Sequence, residues 1–265
     1  MSAEVVERVL RSSRYRDVDR SLLVRLADEE LPRARNADDA VKRVKQRLHQ
    51  AVGAFRGVAR PDAVATAWSG DLTAPEFRAA CADALRAHAS TRERVPHLHT
   101  FYGGIWSVTG TPDRVLDLGC GLNPLTLPWM GLAADATYLA SDVDRRPLAT
   151  VVAFLELVGQ PHTVEARDLV ETHPAQDADV GLLLKLVTTL DRQDPDASTR
   201  LLGALRVRHA VISFPKHSLG GRGKGMERTY RDRLDRLAAD AGRVSAMAEA
   251  SVPNELVFVL TLTDG

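Results

Sequence analysis

The sequence predicts an α/β chain: an open, mostly parallel sheet flanked by helices, preceded by an all-helical N-terminal part. Three observations predict it. Arg114 to Pro124, RVLDLGCGLNP, reads as a short buried strand (Val115, Leu116, Leu118) running into a tight turn at Gly119 and Gly121. About twenty residues on, Tyr138 to Asp142 reads as a second strand, ending in an acid that could accept from a pair of ribose hydroxyls. From there to the C-terminus strand and helix patterns alternate, whereas no convincing strand pattern precedes Val108.

The form of the loop narrows the ligand. A dinucleotide-binding turn spaces three glycines so that a pyrophosphate rests on the next helix N-terminus, and here Pro124 takes the third place. That weakens a phosphate reading. Asp117 to Gly121, DLGCG, instead resembles the first motif of class I S-adenosylmethionine (SAM) methyltransferases, whose ligand has an amino-acid tail and no phosphate. An ordinary strand-turn-helix corner would account for the glycines but not for Asp142.

Composition sets the outer bounds. With 265 residues, 45% of them hydrophobic, the chain is long enough for one large domain or two moderate ones. Lysine plus arginine equals aspartate plus glutamate at 35 each, so a nucleic-acid partner must be met by a local patch. Cys81 and Cys120 form no CxxC pair, which argues against a disulfide framework or a zinc site and predicts no metal. Without a signal-peptide pattern or an apolar run of membrane length, the expectation is a soluble, cytoplasmic monomer.

In chain order, Val5, Val6, Val9 and Leu10 make a first helical stripe, and Leu22, Leu23 and Leu26 a second. The clearest helix starts after Asn36, a good N-cap, with Asp38 and Asp39 in its first turn. Its apolar face is Val41, Val44, Leu48, Val52 and Phe55; its other side carries Lys42, Arg43, Lys45 and Arg47. With Arg56 and Arg60 this is a basic run without an acid between residues 42 and 60, either a solvated face or a phosphate-binding one. Thr73 with Glu76, and Ser90 with Glu93, have the spacing of capping boxes. Val95, Leu98, Tyr102 and Ile105 have helical spacing, started or bent by Pro96, and would lead into the first strand. Arg94 is then either a surface arginine or one laid beside the glycine loop, where it could pair with the carboxylate of a methionine moiety.

Gly110 and Pro112 mark a boundary near residues 107–113. Beyond the loop, Pro147 to Gly159 reads as a helix, His162 to Arg167 as a strand ending at Asp168-Leu169, and Val180 to Val187 as a nearly continuous apolar strand. A helix over 196–206, a strand from His209 to Phe214 and a charged amphipathic helix from Gly225 to Ala241 follow. Val244 to Ser251 and Glu255 to Thr261, joined at Pro253-Asn254, predict an antiparallel hairpin at the sheet edge.

Five segments together, STRERVPHL, DLGCGLNPLTLPWM, SDVDRRP, LLLKLVTTLDRQ and SFPKHSLGGRGKGM, resemble the aminoglycoside-resistance 16S ribosomal RNA methyltransferases of the Arm family. The match runs from about Val41 to Tyr230, and GLNP and SLGGRGKGM are its restrictive parts. The resemblance implies a class I SAM-dependent, Rossmann-like methyltransferase domain over 109–265 and a helical RNA-docking domain over 1–108. It implies methylation of a decoding-site guanine at N7 in the 30S subunit, hence aminoglycoside resistance. By matched motif, Phe55 and the turn His88, Ala89, Ser90 would lie against the cofactor and Arg94 would hold its carboxylate. Gly119 would line the methionine part, Asp142 the ribose, Asp168 and Leu169 the adenine, with Leu184 and Gln193 completing the pocket. From periodicity alone Phe55 is equally a core residue.

Guanine N7 has a lone pair and no proton, so no catalytic acid or base is assigned. The N7 edge of A-form RNA lies in a deep, narrow groove, so the base is expected to leave its stack. Residues 213–225 then read either as a flexible surface loop or as one that closes over the base while Lys216, Arg222 and Lys224 meet phosphates. Two other readings stay open: a SAM enzyme acting on another RNA atom or a small molecule, and a non-catalytic SAM-fold protein that binds RNA.

Overall fold

The computed structural model describes residues 1–52, 61–216 and 226–263, the side chains of 61, 89 and 90 excepted. Three helices open the chain: α1 (Ser2–Leu10), α2 (Arg20–Glu30) and α3 (Ala37–Ala51). They close on one another around Val5, Val9, Leu22, Leu26, Val44 and Leu48, all fully or almost fully buried, which is where the sequence stripes put their apolar faces. Asn36 caps α3 as its position predicts: its side chain accepts from the Asp39 backbone N–H at 2.9 Å.

The next helices belong to a different core. α4 (Pro61–Ala67), α5 (Pro75–Arg86), α6 (Ala89–Arg92) and α7 (Leu98–Thr109) bring Phe77, Leu85, Phe101, Tyr102 and Ile105 into one apolar cluster with one face of the sheet. Neither α5 nor α6 has the expected residue, Thr73 or Ser90, in its N-cap position. Thr73 turns back to Asp71, donating to it through both its N–H (2.7 Å) and its hydroxyl (2.8 Å), so α5 starts at Pro75 with Ala74 as its cap. α6 starts at Ala89 with His88 in the cap position, and Glu93 lies past its end, paired to Lys185 at 2.9 Å. Local spacing permits a box; here an Asx turn and a tertiary ion pair take the groups it needs.

The sheet has seven strands: β1 (Arg114–Leu118), β2 (Thr137–Asp142), β3 (His162–Ala166), β4 (Asp177–Leu184), β5 (Arg206–Pro215), β6 (Val244–Ala250) and β7 (Glu255–Leu262). Their order is β3-β2-β1-β4-β5-β7-β6; the first five are parallel, and β7 runs antiparallel to both β5 and β6. The predicted hairpin is present, its turn made by Asn254 at φ +59°. Alternation along the strands separates two cores: Val115, Tyr138 and Leu182 face α5, α7 and α9 (Arg145–Val158), reached from β1 by way of α8 (Leu127–Met130). Leu116, Leu118, Leu183, Ile212 and Phe258 face α10 (Val187–Asp191), α11 (Ala197–Ala204) and α12 (Met226–Ala241). β1 leads to β2 on one side and has β4 on the other, so the strand order reverses there. In open α/β sheets ligands bind outside the carboxyl ends of the strands at such a point.

Candidate active site

A cavity of about 270 Å³ opens at that point, walled by the carboxyl ends of β1, β2 and β4. Its floor is the glycine turn. Gly119 (φ +63°) and Gly121 (φ +51°) both adopt the left-handed conformation, so the chain reverses sharply and leaves space above it. A Cβ on Gly119 would stand 2.7 Å from Leu186 Cδ1, and one on Gly121 would stand 3.2 Å from the His88 ring.

Asp142, at the end of β2, ties the turn to the next strand. Its Oδ2 accepts from the Gly121 N–H at 2.9 Å and its Oδ1 from the Asp144 N–H at 2.9 Å. Each carboxylate oxygen has a further lone pair, and Asp142 lines the cavity, so it fits as the acceptor for a ribose diol. Burial raises its pKa, opposed by those backbone N–H groups. Asp144, two residues on, caps α9 by accepting from the Arg146 N–H at 3.1 Å. His88 faces the turn from the other side; burial lowers its pKa to about 4, so its ring is neutral at physiological pH.

Of the positions assigned to the cofactor, His88, Gly119, Asp142, Asp168, Leu169, Leu184 and Gln193 all line this one cavity. Phe55 lies outside the described residues, as do the side chains of Ala89 and Ser90. Arg94 is not part of the lining of the cavity but lies beneath the glycine loop next to it. Its guanidinium is buried under the loop, donating to both oxygens of Glu255 at 3.0 Å, to Asn123 Oδ1 at 2.8 Å, and lying 4.3 Å from the centre of the Phe101 ring. A fully buried cation needs a buried acid, and β7 supplies one. Lys185, which does line the cavity, stands 3.5 Å from Glu255 and takes an unusual φ of +58°.

The basic run divides. Lys42 is exposed and Lys45 half-buried. Arg43 and Arg47 both pair with acids: Arg43, still partly exposed, with Glu30 at 2.7 Å, and Arg47 with Glu30 and Glu29 at 3.0 Å each. The run has no acid in sequence, yet α2 brings two acids against these two arginines. Lys216 stands at the end of β5, half-buried; Arg56, Arg60, Arg222 and Lys224 lie outside the described residues.

The sequence also left cavity residues unmarked. Ala51 and Val52, at the end of α3, carry an N-terminal helix into the wall, and Thr189 and Leu190 come from α10. Lys185 alone carried a signal, a single charge interrupting an apolar strand. Arg25 and Glu255, which brace the site, carried none.

The family model described as ribosomal RNA methyltransferase (FmrO) matches residues 11–259. The chain belongs to the FmrO family. Among proteins related to this FmrO member, a 16S rRNA (guanine(1405)-N(7))-methyltransferase of Frankia casuarinae is 42% identical, the alignment covering 97% of this chain and 92% of that one. One of the same name from Micromonospora echinospora is 36% identical over 97% and 95%. The FmrO-family fold is similar throughout to the crystal structure of the 16S rRNA methyltransferase RmtF in complex with S-adenosyl-L-homocysteine, with a TM-score of 0.80 at 32% identity over 99% of this chain and 98% of that one. The 16S rRNA methylase RmtB gives 0.78 at 25% identity over 99% of both chains.

Proposed function

We propose that this chain transfers the methyl group of SAM to N7 of a guanine in the 16S rRNA of the 30S subunit, the guanine(1405) of its relatives' names, and so confers aminoglycoside resistance. The observation that carries the cofactor reading is the hold of Asp142 on Gly121 within a cavity where the strand order reverses. The residues fit such a ligand. Asp142 would accept from the ribose, and Asp168, Leu169 and Gln193 would bound the adenine. Gly119 leaves room for the methionine part, Leu184 closes the wall, and His88 stays uncharged beside it. Arg94 would act on that end through Asn123 and the loop.

SAM, when bound, supplies a methyl group on a positively charged sulfur. The chain's task is placement. Guanine N7 offers its lone pair and has no proton to lose, so no side chain need act as a base, and positioning two reactants at about 3 Å can lower the barrier by several kcal/mol. The apolar strand ends and α10, which line the cavity, would keep water from the bound cofactor. Lys42, Lys45 and Lys216 would meet RNA phosphates, and Arg56, Arg60, Arg222 and Lys224 would join them by charge. The helices within 1–108 serve the docking role, with α1 to α3 holding their own core and so able to present a rigid surface. Among the described residues no helix is long and apolar enough to cross a membrane.

The decisive experiment incubates the protein with 30S subunits and labelled SAM and maps the modified nucleotide. N7 methylation of the corresponding guanine is expected. A methyl group at another RNA position, or cofactor binding without transfer, would overturn the assignment.

A further inference from the structure

Arg25 lies far from the glycine loop in sequence, on a helix whose other residues build the N-terminal core. It is nonetheless buried against the cavity wall. Its Nε donates to Asp168 Oδ2 at 2.7 Å, and its Nη2 donates to Asp168 Oδ1 at 3.3 Å and to Gln193 Oε1 at 2.8 Å. Its Nη1 donates to Glu29 at 2.9 Å. Asp168 and Gln193 both line the cavity, 143 and 168 residues along the chain from Arg25. Burial opposes the charge on Arg25, but the hydrogen bond and attraction from Asp168, with Glu29, outweigh it and raise its pKa.

Two neighbours complete the arrangement. Arg47, from α3, donates to the backbone carbonyl of Gln193 at 3.1 Å while it holds Glu29, so Gln193 is gripped through its side chain and its backbone by arginines of two N-terminal helices. The Val170 N–H donates to Asp168 Oδ1 at 3.1 Å. A planar fork meeting a carboxylate fixes the plane of both groups, which a single point charge would not do. Across the cavity the same N-terminal part holds the corner between β2 and α9. The Asp19 N–H donates to the Val143 carbonyl at 2.7 Å, the Arg145 N–H to the Asp17 carbonyl at 2.9 Å, and Arg146 pairs with Asp17 at 3.0 Å.

We infer that Arg25 is a positioning residue for the cofactor: from the N-terminal helices it sets the orientation of the Asp168 carboxylate and the Gln193 amide that receive the nucleoside end of SAM. The inference rests on the cofactor reading above and is independent of which RNA atom is methylated. Its consequence is that the seating of α1 to α3 forms part of the pocket. Whatever loads those helices then changes cofactor affinity, and the effect is reciprocal.

The test titrates S-adenosylhomocysteine into the full chain by calorimetry, for wild type, Arg25→Ala, Arg25→Lys, Asp168→Asn and the double variant Arg25→Ala with Asp168→Asn, alongside thermal unfolding of each. Arg25→Ala should weaken binding about tenfold or more, in keeping with the loss of a charge-assisted fork. On 30S subunits it should raise the KM for SAM by a similar factor while kcat at saturating SAM stays within about threefold, a split that mere loss of folded protein would not produce. Because Arg25 acts through Asp168, the double variant should bind no more weakly than Asp168→Asn alone. Should Arg25→Ala not fold, Arg25→Lys, which keeps the charge and loses the fork, should still bind severalfold more weakly than wild type. Affinity within twofold of wild type for the Arg25 variants overturns the inference, as does a double variant markedly weaker than Asp168→Asn. Failure of wild type to bind S-adenosylhomocysteine would instead overturn the cofactor reading on which the inference stands.

Discussion

Arg94 and Glu255, 161 residues apart in sequence, meet in two hydrogen bonds of 3.0 Å, both side chains all but excluded from solvent. The pair joins the segment ahead of α7 to the first residue of β7, directly beneath the loop that carries Asn123. Burial pushes the Glu255 carboxyl up, but Arg94 and Lys185 outweigh it and hold it below the usual carboxylate range. Glu255→Gln would leave a buried guanidinium without its counter-charge and is expected to cost about 3 to 5 kcal/mol of stability. Urea unfolding at neutral pH checks this. A loss under 1 kcal/mol would mean that the pair contributes no more than an exposed one.

Asp142 gives the direct test of the cofactor site. Asp142→Ala removes an acceptor from the ribose position and is expected to weaken SAM binding by about 1 to 3 kcal/mol. Calorimetry with equal affinity for both proteins would take Asp142 out of the site.

At Gly119 the backbone sets the limit. Gly119→Ala places a Cβ at φ +63° and 2.7 Å from a flexible leucine terminus. The side chain of Leu186 can give way, so the conformational strain dominates, at about 1 to 3 kcal/mol. Lower thermal stability together with weaker SAM binding is expected. A variant matching wild type in both would show that the turn relaxes without cost.

Asp117 supplies a pH dependence. It is fully buried, receiving hydrogen bonds from Tyr138 at 2.7 Å and Asn123 at 3.0 Å, and burial raises its pKa from 3.8 to about 6. Between those values the folded chain holds this proton more tightly than the unfolded one. The stability that Asp117 contributes is therefore complete below pH 3.8 and lost as pH rises through about 6. Unfolding free energies measured across that window, wild type against Asp117→Asn, should show the downward slope in wild type alone. Parallel curves would mean that the carboxyl titrates normally.

The basic run of α3 is expected to act in two halves. Neutralising Lys42 and Lys45 together should weaken 30S binding and reduce its salt slope by up to about two, one for each phosphate contact, with SAM affinity unchanged. Arg47→Ala should instead lower thermal stability, because Glu29 and Glu30 each lose one of their arginine partners. Subunit binding at two salt concentrations separates these outcomes. An unchanged salt slope in the lysine variant would return both residues to a merely solvated face.

The elements that local pattern governs were legible in the sequence. Val115 to Leu118 alternates between two cores, Gly119 and Gly121 announce a left-handed turn, and Asn36 with its acidic first turn fixes the start of α3. These features depend on backbone conformation and on neighbours within one helical turn or one strand, so residue type and spacing suffice. The ligand side was legible for the same reason, since Asp142, Leu169 and Leu184 sit at or just beyond strand ends, and strand ends in an open sheet converge on one cavity.

What the tertiary structure decided was the pairing of charges. Arg43, Arg47 and Arg94 read from sequence as cations available to phosphate or carboxylate, and each finds its acid on another element: Glu30, Glu29 and Glu255. Arg25 has no local signal, yet it braces two cavity residues more than a hundred positions away. A buried charge is stable only beside a partner, and which partner comes within 3 Å depends on how helices and strands pack. The chain sequence therefore determines the sheet, the turn and the direction in which the ligand lies. Packing determines which charges remain exposed for a partner and which are spent holding the molecule together.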